Sequence, residues 1–222
     1  MKISFLSLLI LPCILSYSQE AKWDSTFRPN SYSLKVEQFR GYPDSPGDII
    51  FLGNSITAGT DWMELLGNTS VRNRGISGDI TYGVLERLDE VTEGKPAKIF
   101  ILIGINDIAR NIPDSLILDN YKKIIKRIRH ASPGTAVYFH NLLPVNNEFT
   151  PARNHFNKDE HVLFINEELA KICREEKVTL IDLYNPFKNA ENKLDKKYTY
   201  DGLHLTHAGY LLWASLLKKY LN

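Results

Sequence analysis

The amino-acid sequence predicts a three-layer α/β domain, in which helices cover both faces of a five-stranded parallel sheet. Short apolar runs alternate along the chain with longer segments whose apolar residues recur at helical spacing, as in repeated strand–helix units. Several runs are continuously apolar, as expected of strands that are buried on both faces. With 222 residues, of which 43% are hydrophobic and 24% charged, the chain suits one domain with a sizeable core.

The first eighteen residues differ from the rest of the chain. Lys2 precedes an apolar run from Ile3 to Leu15, and small residues stand at positions −3 and −1 of a cut after Ser18. This arrangement is typical of a secretory signal peptide. The apolar run is short for a transmembrane span, which needs roughly 20 residues, although an uncleaved anchor is the alternative. We therefore predict a signal peptide at residues 1–18 of a secreted or periplasmic protein, with no stable membrane insertion after cleavage.

The remainder is predicted to be one domain with a short preceding segment. Residues 19–47 contain Pro, Ser, Tyr and Gly without a clear period and are predicted to be irregular, and the domain follows at residues 48–222. Cys173 lies on an apolar stripe and is expected to be a small buried hydrophobe. The net charge of +1, with basic residues spread among acidic ones, gives no reason to expect a nucleic-acid partner. The oligomeric state is left open.

Within the domain, strands and helices are predicted to alternate. The five strands are predicted at residues 48–52, 71–75, 98–103, 135–142 and 178–183. The helices are predicted at residues 81–91, 114–131, 158–176 and 207–221. Asp114 is expected to cap the second of these helices at its N-terminus. Residues 185–200, which contain Pro186 and many Asn and Lys residues, are predicted to form a surface loop.

Small and polar residues stand where three of the predicted strands end and just before the last helix. In chain order they are Ser55, Gly78, Asn106, and the pair Asp201 and His204. The carboxyl ends of parallel strands meet at one edge of a sheet, and ligands bind there. We therefore expect these residues to lie together. Taken singly, each glycine is explained by a turn, and Asn106 or Asp201 by a turn or a cap.

Taken together, these residues are suited to acyl transfer through a serine. Such chemistry needs a base for the hydroxyl proton, an acid that orients the base, and donors for the developing oxyanion. His204 can be the base, and Asp201 can hold its imidazole ring. The backbone N–H groups of Ser55 and Gly78 and the side-chain amide of Asn106 can be the donors. His204 and His207 have a spacing that also suits a metal ion, but no third ligand is evident, so neither a metal nor a cofactor is expected.

Four ordered segments of the chain resemble the conserved blocks of the SGNH, or GDSL-type, hydrolase family. They are Gly53-Asn54-Ser55, Arg74 to Thr81, Gly104-Ile105-Asn106-Asp107, and Asp201 to Thr206. Together with Leu142-Leu143-Pro144, they are most similar to the branch that contains the alpha subunits of platelet-activating-factor acetylhydrolase and bacterial acetylesterases. The resemblance covers residues 48–220 approximately. Asn54 departs from the pattern, because the family usually has Asp before the nucleophile; the change removes a charge but keeps hydrogen-bonding capacity.

The resemblance implies a flavodoxin-like α/β/α sandwich and a serine esterase. It implies that Ser55 is the nucleophile, that Asp201 and His204 complete the triad, and that Gly78 and Asn106 stabilise the oxyanion. It also implies a small acyl group, and secretion favours O-acetyl esters of polysaccharide or sialic acid as substrate. The alternatives are a lipid esterase, lysophospholipase or thioesterase for longer acyl chains, and a non-catalytic glycan-binding protein on the same fold.

Overall fold

The computed structural model describes residues 23–221, so the signal peptide predicted at residues 1–18 lies outside the described residues. The predicted parallel sheet is confirmed, with strand order β2-β1-β3-β4-β5 and every neighbouring pair parallel. The strands are β1 Ile49–Gly53, β2 Val71–Gly75, β3 Lys98–Leu102, β4 Ala136–His140 and β5 Thr179–Ile181. The last two strands are shorter than predicted, because the apolar residues that flank them lie in buried loops.

Helices cover both faces of this sheet. They are α1 Tyr32–Arg40, α2 Ser55–Ala58, α3 Trp62–Leu66, α4 Thr81–Glu86, α5 Leu88–Thr92, α6 Ile105–Ala109, α7 Asp114–Ala131, α8 Asp159–Glu175, α9 Tyr184–Phe187 and α10 His207–Leu221. Neighbouring residues of a strand point to opposite faces. Accordingly, Phe139 of β4 packs on Tyr121 of α7, while Tyr138 packs on Tyr220 of α10. None of the described helices is both long enough and apolar enough to cross a membrane.

Aromatic residues fill the core on the face that α10 covers. Phe51 of β1 stacks on Phe100 of β3 and on Trp62, with ring centroids 5.1 and 4.3 Å apart. Trp213 of α10 meets Trp62 edge to face at 4.7 Å. Stacked and edge-to-face pairs of this kind stabilise a core beyond the area that they bury. This packing holds the ends of β1 and β3, and therefore the loops that follow them, at fixed positions.

The segment predicted to be irregular contains a helix, so that prediction is wrong over residues 32–40. Helix α1 buries Tyr32, Val36 and Phe39, which lie on one face because they are four and three residues apart. This face packs against Ile76 in the loop after β2. The apolar pattern is present in the sequence, but it spans only nine residues and its polar flanks obscure it.

Three smaller predictions also need correction. The helix predicted over residues 81–91 is divided at Arg87, whose backbone leaves helical geometry while its side chain turns into the protein interior. Asp114 is the first residue of α7 rather than its cap, which is Pro113. The loop predicted at residues 185–200 begins inside the short helix α9. Cys173 is buried as predicted, and burial raises the pKa of its thiol to about 12.

Candidate active site

Ser55 lies in a tight turn at the carboxyl end of β1, between the neighbouring strands β2 and β3. The turn needs glycine at position 53, because a Cβ there would stand 2.2 Å from Oγ1 of Thr57 and 2.3 Å from the carbonyl oxygen of Leu102. Asn54 is fully buried, and its Oδ1 accepts a hydrogen bond from the N–H of Ile56 at 3.0 Å. It thereby caps α2, of which Ser55 is the first residue.

The structure brings Ser55, His204 and Asp201 into one hydrogen-bonded chain. Oγ of Ser55 lies 2.9 Å from Nε2 of His204, and Nδ1 of His204 lies 2.7 Å from Oδ2 of Asp201. A carboxylate can only accept, so Nδ1 carries a proton and Nε2 is left to accept the proton of Ser55. The three residues come from positions 55, 201 and 204, and the sequence-based expectation that they meet at one edge of the sheet is confirmed.

The turn that carries Asp201 and His204 is held by its own hydrogen bonds. Oδ1 of Asp201 accepts from the backbone N–H groups of Leu203 and His204 at 3.0 and 2.7 Å. Oγ1 of Thr199 donates to the carbonyl oxygen of His204 at 2.7 Å. Burial alone would raise the pKa of Asp201, but the hydrogen bonds from His204 and Leu203 outweigh it and hold that pKa below its ordinary value. The carboxylate is therefore charged at neutral pH.

Gly78 and Asn106, the two predicted oxyanion donors other than Ser55, lie beside one another on neighbouring loops. Gly78 follows β2 with a φ of +81°, a left-handed conformation that favours glycine. Nδ2 of Asn106, at the start of α6, donates to the carbonyl oxygen of Asp79 at 2.9 Å. An amide group has two N–H donors. One is used in this bond, and the second is left for a ligand.

Two residues that the sequence did not indicate, Arg153 and His155, lie within hydrogen-bonding distance of Asp201 and Asn106. Nε2 of His155 lies 2.9 Å from Oδ1 of Asn106, and Nη2 of Arg153 lies 2.6 Å from Oδ2 of Asp201. His155 lies in a turn before α8 and is half-buried. Neither residue belongs to a periodic pattern or a glycine turn. Their positions depend on the path of a loop that no local signal in the sequence specifies.

The bond to His155 fixes the orientation of the Asn106 amide. An amide oxygen can only accept, so Nε2 of His155 must donate. Burial, and next the charge of Arg153, lower the pKa of His155 to about 4. At neutral pH His155 is therefore an uncharged donor. Because Oδ1 of Asn106 is occupied by His155, its Nδ2 must face Asp79 and the adjoining Gly78.

A buried arginine braces the loops from behind. Arg87 is fully buried and donates to the carboxylate of Asp79 at 3.0 Å and to the carbonyl oxygen of Gly53 at 3.2 Å. It thus links the residue before Asn54 and Ser55 with the residue after Gly78. Asp107 braces the same region by accepting from Oγ1 and N–H of Thr81 at 2.6 and 3.0 Å. Through these hydrogen bonds, Asp79 and Asp107 stabilise the loops that carry Gly78 and Asn106.

An open cavity of about 350 Å³ begins at the two oxyanion candidates. Its wall includes Trp23, Asp24, Gly78, Asn106, Arg110 and His155. Most of these side chains are polar or charged. This cavity is therefore not an apolar groove of the kind that holds a long acyl chain.

His140, the last residue of β4, has a structural role. It is buried, its Nδ1 lies 3.1 Å from the carbonyl oxygen of Ile101, and its Nε2 accepts from Trp213 at 3.2 Å. Burial lowers its pKa to about 3, so it is uncharged. Within residues 23–221, no three His, Cys, Asp or Glu side chains are grouped so as to hold a metal ion.

A parallel α/β sheet that carries a hydrogen-bonded Ser–His–Asp group at its carboxyl edge defines the architecture of an α/β hydrolytic enzyme. Comparison with known families makes the assignment specific. The chain belongs to the GDSL-like Lipase/Acylhydrolase family, whose model matches residues 51–212. It is therefore a hydrolase of the acylhydrolase type, as the resemblance of the four sequence blocks implied.

Individual relatives agree with this assignment. The chain is 27% identical over 173 residues to platelet-activating factor acetylhydrolase IB subunit alpha2 of Homo sapiens, covering 75% of this chain and 72% of that protein. A Streptococcus pneumonia structure described as a platelet activating factor has a TM-score of 0.79 and 30% identity, covering 86% of this chain and 93% of that one. A GDSL-like lipase from Bacteroides thetaiotaomicron, at 24% identity, shares the fold with a TM-score of 0.75 over 86% of this chain and 96% of that one.

Proposed function

We propose that this protein is a secreted serine esterase that removes small acyl groups, above all acetyl, from carbohydrate esters. The observation that carries the proposal is the chain of hydrogen bonds from Ser55 Oγ through His204 to Asp201, at 2.9 and 2.7 Å. A serine hydroxyl becomes a nucleophile when a positioned base can take its proton and a third group orients that base. All three are present with donors for an oxyanion on the adjoining loops.

In the proposed reaction, Nε2 of His204 takes the proton of Ser55 while Oγ forms a bond to the ester carbonyl carbon. Asp201 stays charged and stabilises the imidazolium that results. The carbonyl oxygen becomes an oxyanion, which accepts hydrogen bonds from the N–H groups of Ser55 and Gly78 and from the amide of Asn106. When this intermediate collapses, the bond to the alcohol oxygen breaks, and His204 gives its proton to the departing alcohol.

Deacylation repeats these steps with water in place of the serine. His204 removes a proton from water, the hydroxide attacks the acyl carbon, and the bond to Oγ of Ser55 breaks as the proton returns to it. Asn54 does not disturb this scheme. Its Oδ1 caps the N–H of Ile56 as an aspartate oxygen would, so the turn that presents Ser55 is kept.

Two observations support the substrate class. The name of the mammalian relative describes the removal of an acetyl group, and this chain aligns with 72% of that protein. The cavity beside Asn106 is lined mainly by polar side chains, which suit a hydroxylated alcohol better than a lipid. The sequence pattern of a signal peptide at residues 1–18 supports an ester outside the cytoplasm.

The first test of this proposal measures hydrolysis of p-nitrophenyl esters from acetate to palmitate. We expect the highest kcat/KM with acetate and a steep fall as the chain lengthens. A maximum at long chains would instead establish the lipid-esterase alternative. Acetate release from acetylated xylan, acetylated pectin and O-acetyl sialic acid then identifies the carbohydrate.

The second test is of the residues. Ser55→Ala is expected to abolish turnover, and Asn106→Ala to slow it by roughly 10²–10³-fold, the usual cost of one oxyanion donor. Ser215→Ala is the matched control, because Ser215 is an exposed serine on α10. Near-normal activity of the Ser55 variant, or a failure of a fluorophosphonate to label Ser55 in the wild type, would refute the assignment and revive the glycan-binding alternative.

A further inference from the structure

Residues 23–29 form a segment that borders the Gly78 side of the candidate active site, although they lie upstream of the part of the chain that matches the family, residues 51–212. Aromatic and charged contacts hold the segment in place. Trp23 stacks on Tyr82 of α4 with ring centroids 6.3 Å apart, and Nε of Arg28 donates to Glu86 of the same helix at 2.8 Å. These contacts fix the segment to the helix that follows the Gly78 loop.

The path of this segment brings it to the cavity. Pro29 lies against Gly78, since a Cβ built on Gly78 would stand 3.3 Å from Cβ of Pro29. Trp23 and Asp24 then form one wall of the same cavity that Gly78 and Asn106 line. A molecule whose ester group reaches Asn106 would therefore place other parts of its structure beside Trp23 and Asp24.

Three of the residues that line this cavity, Trp23, Asp24 and Arg110, are available to bind a ligand. Trp23 is 37% exposed, so part of its indole ring is accessible while it stacks on Tyr82. Asp24 uses only Oδ1, which accepts from N and Oγ1 of Thr26 at 2.8 and 2.7 Å; within residues 23–221, its Oδ2 has no hydrogen-bond partner. The guanidinium of Arg110 lies over the ring of Phe27 and makes no hydrogen bond to any residue that the structure describes.

An accessible aromatic surface with a free acceptor and free donors beside it matches the chemistry of a sugar ring. A sugar presents apolar C–H groups on its faces and hydroxyl groups around its edge, and each hydroxyl both donates and accepts. A carboxylate oxygen accepts such hydroxyl protons in strong, charge-assisted hydrogen bonds, and a guanidinium donates to hydroxyl or carboxylate oxygens. An alkyl chain has no hydroxyl group with which Asp24 or Arg110 could form a hydrogen bond.

We propose that Trp23, Asp24 and Arg110 form a subsite for the sugar ring whose hydroxyl carries the acyl group. This inference rests on the proposed esterase function and adds to it the residues that select the alcohol. The shared chemistry is a pyranose ring with free hydroxyl groups. Neutral and acidic sugars both have it, and Arg110 distinguishes them because only an acidic sugar offers it a carboxylate.

The test compares three acetate esters on the full-length protein and on Trp23→Leu and Asp24→Asn. Ethyl acetate has no ring, an acetylated xylo-oligosaccharide is neutral, and 9-O-acetyl sialic acid is acidic. We expect each variant to lower kcat/KM for the sugar ester that the wild type prefers by about tenfold, mainly through KM, as fits the loss of a stacking contact or a charged hydrogen bond. Ethyl acetate hydrolysis should stay within about twofold, because the subsite touches only the sugar.

Two matched controls come from the same N-terminal part of the chain. Tyr42→Leu removes an exposed aromatic ring and Glu37→Gln an exposed carboxylate, and neither residue lines the cavity. Both should behave as the wild type with all three esters. Arg110→Gln should weaken only the sialic acid ester if the natural sugar is acidic, and should affect both sugar esters modestly if Arg110 binds hydroxyl groups.

The outcomes separate the subsite from the esterase function. An equal loss on all three esters in Trp23→Leu would show a role in stability alone and overturn the subsite. A wild type that cleaves ethyl acetate but no sugar ester would overturn the subsite and leave the esterase. If the wild type cleaves no ester, the subsite is tested by the binding of unacetylated xylobiose and sialic acid. This binding is measured by the fluorescence of Trp23, which is partly exposed, whereas Trp62 and Trp213 are buried. A change that Trp23→Leu abolishes supports the subsite, and no change overturns it.

Discussion

Replacing Gly202 with alanine tests whether the turn between Asp201 and His204 is fixed by steric constraints. Gly202 has a φ of +81°, and a Cβ at this position would stand 2.2 Å from the carbonyl oxygen of Asn146. That oxygen belongs to the backbone of a buried residue, which cannot rotate away as a flexible side chain would. The Cβ can be accommodated only if the turn itself moves.

Two costs add in this variant. A left-handed conformation costs a residue with a side chain roughly 1–2 kcal/mol, and forcing additional atoms into a packed site costs typically about 1–3 kcal/mol. We therefore expect Gly202→Ala to lower the free energy of unfolding by about 2–5 kcal/mol. The shift of the turn would also move His204 away from Ser55, and a displacement of about 1 Å can reduce turnover by about 100-fold.

Two other glycines separate these costs. Gly67 has a φ of +59° but no atom within 4 Å of an added Cβ, so Gly67→Ala should lose only the conformational part, about 1–2 kcal/mol. Gly134 also has open space and no left-handed φ, and Gly134→Ala should change stability by less than about 1 kcal/mol. Urea unfolding measures stability, and hydrolysis of p-nitrophenyl acetate by the folded protein measures activity.

The steric argument predicts a defined order among the three variants. Gly202→Ala should be the least stable, and it alone should lose activity under conditions where all three are folded. If Gly202→Ala were as stable as Gly67→Ala and as active as the wild type, the turn would be able to move without consequence. The reasoning that connects its geometry to the site would then be refuted.

Three further predictions concern ionisable groups. Asp201→Asn should lower kcat about 10⁴-fold while the fold is kept, because an amide would hold His204 in the wrong tautomer; a loss below tenfold would contradict this. Burial raises the pKa of Asp107 to about 7, so between about pH 4 and 7 the folded protein keeps a proton that the unfolded chain loses, and stability falls as the pH rises through that window. Urea unfolding at pH 4.5 and 7.5 tests this: the decrease in the free energy of unfolding between these pH values should be smaller in Asp107→Asn than in the wild type by a few kcal/mol. If the wild type and the variant showed the same decrease, the raised pKa of Asp107 would be excluded. Finally, His155→Leu leaves Oδ1 of Asn106 without its donor and should lower kcat about tenfold with little change in KM. His155→Gln, whose side-chain amide can donate in place of the imidazole, should recover part of the lost kcat. An equal loss of kcat in both variants would instead indicate that His155 acts through packing.

The sequence was sufficient to predict the sheet and the residues whose position depends on strand ends. Ser55, Gly78 and Asn106 each follow a strand, so parallel topology alone brings them to one edge. His204 and Asp201 are three residues apart, and their mutual hydrogen bond is local. For these residues, the periodicity of the strands and the residue types of the turns are sufficient to predict that they lie together at one edge of the sheet.

The parts that could not be predicted depend on long-range packing. Arg153 and His155 reach the site through a loop, and their partners are 48 and 49 residues away in the sequence. Arg87 interrupts a helix because its buried guanidinium has partners on β1 and in the Gly78 loop, which a local pattern cannot show. The position of Trp23 beside the cavity could not be predicted, because it depends on stacking with Tyr82, which is distant in the sequence.

The loop that carries Arg153 and His155 has a consequence for motion in the site. One bond from this loop reaches the carboxylate of Asp201, and the other reaches the amide of Asn106. If the loop opened, the proton-transfer group and the oxyanion group would lose their supports in the same event. The fraction of molecules able to react would then follow a single opening equilibrium, so that amide hydrogen exchange in this loop would rise as turnover per molecule falls when denaturant is added.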